Sequence, residues 1–145
     1  MYTNLATSYT DIGMETGVAA ADPHKLILML FEGALLAISK ARHHTLTREI
    51  PQKGQAISHA ISIIENGLKT GLDMSAGGEI AKNLASLYDY MTVRLLHANL
   101  KNDVDALDEV SRLLKDIKGA WEGITPAPAA IEQVAPQRVN SYGKV

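Results

Sequence analysis

The chain has 145 residues, no cysteine, a formal charge of −2, and 46% hydrophobic but only 5% aromatic residues. The lack of cysteine excludes disulfides, thiol catalysis and thiolate zinc sites, and it fits a reducing cytoplasm. Lysine and arginine are scattered, which argues against a nucleic-acid footprint, and the longest apolar run, Leu26 to Phe31, is far short of the roughly 18 residues that span a bilayer.

A chain of this length is one domain's worth and buries roughly 70% of the surface its unfolded form exposes. Its aliphatic-rich, aromatic-poor composition favours helix packed on helix. Residues 1–21 have no basic start and no apolar core of a signal peptide, and no sustained period. They nevertheless carry Tyr2, Leu5, Tyr9, Ile12, Met14 and Val18, more apolar groups than a plain disordered tail holds. Two readings stand: an arm lightly docked at a few residues, or an arm that covers an apolar groove until a partner displaces it.

Asp22-Pro23 starts the first helix, because the Asp oxygen can accept a free first-turn N–H and proline suits the first helical position. From Leu26 to Ala41 that helix is apolar almost all round, as befits an element facing two partners. Arg42, His43 and His44 suit its C-terminal end, where solvated histidines are expected. The pattern breaks over Thr45 to Pro51, and Pro51 falls in the first turn of a second helix. Its seam is Ile57, Ile61, Ile64, Leu68 and Leu72. Beside the seam runs a smaller row, Ala56, Ala60, Ile63 and Gly67. Glycine inside a helix costs about 1 kcal/mol relative to alanine, so something must approach Gly67 closely. That neighbour is either a tightly packed helix of the same chain or an incoming helix in a groove.

Asp73 to Gly78 reads as a turn cluster. A long third helix then runs from Glu79 to about Lys101, with Ile80, Leu84, Leu87, Met91, Leu95 and Ala98 on one face. Tyr88, Tyr90, Val93, Leu96 and Leu100 are left over on other faces, too many for a helix that meets one neighbour. Asn102 or Asp103 caps a fourth helix, whose stripe is Leu107, Val110, Leu114, Ile117 and Trp121, widened by Leu113 and Ile124. From Thr125 onward, three prolines and little periodicity predict a mobile tail. The expected fold is all-α, an antiparallel four-helix bundle over residues 22–124, with an N-terminal arm or short helix over 1–21 and a flexible tail over 125–145.

No chemistry stands out. No glutamate is followed by histidine at the spacing of a bundle metal site, HExxH is absent, and Gly77-Gly78 lacks the rest of a phosphate loop. Asp103 and Asp105, like Asp108 and Glu109, fall where helix starts favour acids. Neither an enzyme nor a cofactor or metal site is expected. A histidine phosphotransfer bundle would expose a histidine followed closely by Lys and Gly; His97 has Lys101 four residues on and Asn102 in place of glycine, a poor match.

Several stretches together carry a resemblance: Met1-Tyr2-Thr3 with Tyr9, then DPHKLILMLFEGAL (Asp22 to Leu35), KGQAISHAISIIENGLKTGLD (Lys53 to Asp73), and GGEIAKNLASLYDYMTVRLLHANLKND (Gly77 to Asp103), followed by a run ending at Trp121. In order and spacing they resemble the flagellar export chaperones of the FliS family, over nearly the whole chain to about Ile124. The resemblance implies a cytoplasmic antiparallel bundle that binds the C-terminal segment of flagellin. It implies that such a chaperone keeps flagellin from polymerising prematurely and supports its passage through the flagellar type III export apparatus. It further implies a client laid partly as helices in apolar grooves, and an N-terminal arm, with Tyr9 in it, over a groove of the free chaperone. The client-binding residues expected here are Tyr9, Ala56, Ala60, Ile63, Gly67, Tyr88, Val93 and Leu96, with no nucleic acid bound and no membrane inserted. A phosphotransfer-type or purely structural helical bundle is the alternative.

Overall fold

In the computed structural model, residues 22–124 are described. They form helices α1 (Pro23–Leu46), α2 (Ile50–Ser62), α3 (Met74–Lys101) and α4 (Val104–Glu122), with a π-helical segment, Ile63–Lys69, prolonging α2. Three of the starts are made by aspartates. Asp22 accepts from the N–H of Lys25, Asp73 from those of Ser75 and Ala76, and Asp103 from that of Ala106, each quenching donors that the first helical turn leaves bare.

The connections are tight. Asn102 takes the left-handed conformation (φ 52°) that asparagine tolerates, so the chain reverses and Asp103 can cap α4 at once. Short links force antiparallel neighbours: α1 packs on α2, α2 on α3, α3 on α4, and α4 returns to α1. The four-helix bundle expected from the sequence is therefore present. Its core is built from Phe31, Ile57, Ile64, Met91, Leu95, Leu107 and Leu114, all fully buried.

The second helix departs from a regular α-helix. Over Ile63–Lys69 the winding loosens, and the N–H and hydroxyl of Thr70 both donate to the carbonyl of Glu65, five residues back. Here the backbone at Gly67 comes against α1: a Cβ on Gly67 would lie 3.1 Å from Leu30 Cδ2. In α3 the cluster expected as a turn is one helical turn, interrupted at Gly78 (φ 55°, ψ −129°), and regular helix resumes at Glu79. Only glycine adopts that backbone without strain.

Two expectations about α3 are corrected. Ile80, expected in the buried seam, is 72% exposed: it lies just past the break at Gly78 and lines an open groove that no helix among the described residues covers. Tyr88, expected among the surplus residues, is only 3% exposed and belongs to the core cluster.

Candidate docking groove

Four chain segments converge at one end of the bundle: the start of α1, the end of the π segment, the start of α3 and the end of α4. They do not close over one another. Between them lies a groove of about 750 Å³, with Ile27 and Phe31 from α1, Leu68 and Leu72 from the π segment and its exit, Ile80, Leu84 and Tyr88 from α3, and Ile117 and Trp121 from α4. Among the described residues that line it, Asp73 and Asp116 are the charged ones. Such a concavity is the ordinary form of a site for an apolar ligand or an amphipathic helix.

The walls are fixed by local interactions. At one edge His24 and Trp121 hold each other: Nε2 of His24 donates to the Trp121 carbonyl at 2.9 Å, and the indole N–H donates to the His24 carbonyl at 3.0 Å. Their rings stack with centroids 5.0 Å apart. The start of α1 and the end of α4 are thereby tied. Asp73, on the α3 side, is held below the usual carboxylate range by the Ala76 N–H, with help from Ser75. Asp116 has no hydrogen-bond or ionic partner among the described residues. Burial raises the Tyr88 phenol to about 12, so it stays protonated at any physiological pH.

A second apolar surface lies on the outside of α3. Val93, Leu96 and Leu100 follow one another at three and four residues and are more than half exposed. Beside them Tyr90 and Arg94 both bond Glu109 of α4, at 2.6 and 2.7 Å, which fixes α3 on α4. Glu109 is held below its ordinary range, first by the Tyr90 hydroxyl and then by Arg94.

The expected client-binding residues separate into distinct places. Tyr88 lines the groove, Val93 and Leu96 stand on the outer face of α3, and Tyr9 falls outside the described residues, as does the rest of the arm. Ala60 and Gly67 are buried against the chain's own helices, and Ala56 and Ile63 are half-buried beside the core. The close approach inferred at Gly67 is made by Leu30 of the same chain, and Ala56 and Ile63 pack against the core beside it. Leu84, Ile117 and Trp121 were legible only as core, because periodicity marks an apolar face without saying whether another helix covers it.

The histidines elsewhere have local duties. His97 meets Asp103 at 3.1 Å beside the cap of α4. At the opposite end of the bundle from the groove, His43, His44 and Glu49 bring ligand atoms within 4.8 Å of one another, and could in principle hold a metal. Glu49 is already engaged there by Thr47 and by His44 Nδ1 at 2.7 Å, and both lower its pKa. No helix among the described residues is long and apolar enough to cross a membrane.

Comparison with known proteins places this architecture. The family profile for flagellar protein FliS matches residues 5–128. The flagellar secretion chaperone FliS of Salmonella typhimurium is 51% identical over 119 residues, covering 82% of this chain and 88% of its own. FliSB of Pseudomonas aeruginosa is 45% identical over 81% of this chain and 92% of its own, and FliS of Escherichia coli K12 is 42% identical over 86% and 92%. These are secretion chaperones and not enzymes. With its helical bundle and a profile match over most of its length, the chain belongs to the FliS family of flagellar secretion chaperones.

Proposed function

We propose that this chaperone binds the C-terminal segment of flagellin in the cytoplasm, with helical portions of the segment lying in the apolar groove and along the outer face of α3. Binding keeps flagellin from polymerising prematurely and hands it to the flagellar export apparatus. The observation that carries this reading is the groove itself: an apolar concavity whose lining includes Ile80, a large aliphatic side chain left 72% exposed. Large exposed apolar residues grouped around a concavity mark interaction sites. The secretion-chaperone names of the relatives support the same reading.

The energetics suit an export chaperone. Burying about 1,500 Å² of apolar surface at roughly 25 cal/mol per Å² gives tens of kcal/mol gross, and ordering the segment offsets most of it. What remains is specific yet reversible. No nucleotide and no metal take part, and Tyr88, Val93 and Leu96 are the sequence-derived residues assigned to the client.

Replacing Ile80 by Asp tests the assignment. Because Ile80 is exposed, the variant melts within about 0.5 kcal/mol of the wild type. A carboxylate in the groove mouth must be desolvated by an apolar guest, so affinity for the flagellin segment falls at least about tenfold. Equal affinities of variant and wild type would remove the groove from the binding surface.

A further inference from the structure

Tyr88 is the odd member of the groove. Its side chain is buried to 3% exposure in apolar surroundings, it lines the concavity, and its hydroxyl has no hydrogen-bond partner among the described residues. A guest that packs against this phenol must offer it a hydrogen bond or leave the buried hydroxyl unsatisfied. We infer that Tyr88 is a specificity-determining residue of the groove, whose hydroxyl bonds a neutral polar side chain set within the apolar face of the guest.

The class of that side chain follows from the surroundings. The phenol stays protonated, so it can donate, and the guest must offer an acceptor oxygen. A carboxylate is disfavoured twice, by the apolar walls and by the negative charge of Asp73 and Asp116. Asn, Gln, Ser or Thr remains. A uniformly apolar helix fills the same space but strands the hydroxyl, which is how the groove discriminates a proper client from any greasy segment. This inference rests on the groove being the flagellin site.

The experiment compares wild type and Tyr88→Phe, titrated with the flagellin C-terminal segment and with a designed amphipathic helix whose buried face is wholly aliphatic. The variant should bind the flagellin segment about tenfold more weakly and the aliphatic helix no more weakly than wild type does. Its own melting temperature should be unchanged or higher, since no bond within the described residues is lost. An alanine scan of the flagellin segment against wild type should find one Asn, Gln, Ser or Thr whose loss costs about as much, and that loss should have no further effect in the variant. The scan decides the matter alone if the variant does not fold. Equal binding of flagellin by both proteins, or a scan in which no neutral polar residue matters, overturns the role of Tyr88. Failure of wild type to bind flagellin at all overturns the underlying groove assignment, and this inference with it.

Discussion

His24 and Trp121 exchange hydrogen bonds across 97 residues of sequence, each ring nitrogen serving the other residue's backbone carbonyl at about 3 Å. Neither carbonyl lies in mid-helix: one is in the first turn of α1 and one in the last turn of α4. The pair shuts one edge of the groove where two helix ends would otherwise splay.

Replacing Trp121 by Phe keeps the ring and removes the N–H. It should cost about 1 kcal/mol in chemical denaturation, with a modest loss of client affinity. Trp121→Ala also removes a groove wall, and should weaken flagellin binding by more than the Phe variant does at the same protein concentration.

Gly67 tests the inner packing. Its missing Cβ would sit 3.1 Å from Leu30 Cδ2, so Gly67→Leu forces a large side chain into a filled core. Thermal denaturation should show a loss of about 1–3 kcal/mol. Reduced flagellin binding with a wild-type melting temperature would instead make Gly67 part of the client surface.

Lys53 is a buried cation, 3% exposed, whose ammonium bonds the Asn99 carbonyl at 2.8 Å and the Asn102 side chain. It satisfies the C-terminal end of α3, where carbonyls lack helical partners. Lys53→Met keeps the stem but orphans that carbonyl, and should cost about 2 kcal/mol of stability by urea denaturation, with the groove at the other end of the bundle still able to bind.

Acid should loosen the bundle through its caps. Asp73 and Asp103 are held below the usual aspartate value, chiefly by the N–H groups of Ala76 and Ala106. A carboxylate with a depressed folded-state pKa binds fewer protons folded than unfolded, so its contribution is present above the unfolded value of about 3.9 and is lost as pH falls through the folded one. Melting temperature should therefore fall below about pH 4. Asp103→Ala should melt lower than wild type at neutral pH and show a shallower acid limb.

The bundle was legible in the sequence because its signals are local. Asp22-Pro23 starts a helix by its own chemistry, and Leu107, Val110 and Leu114 recur at helical spacing whatever surrounds them. The groove was not, because it depends on which faces remain uncovered once four helices have met. Ile80 and Leu84 share a stripe with Met91 and Leu95, yet the first two line an opening and the last two are sealed in the core. The break at Gly78 lies between the capped turn and Ile80; its glycine was visible in the sequence, but the exposure of Ile80 was not. The π winding was hidden too, since Ile64 and Leu68 keep the same four-residue step in either helix.

The most direct measurement is calorimetric titration of the full chain with the flagellin C-terminal segment at several temperatures. An apolar groove that takes up a disordered segment predicts saturable one-to-one binding with a strongly negative heat-capacity change. Binding whose enthalpy does not vary with temperature, or no binding heat at any temperature, would contradict the account.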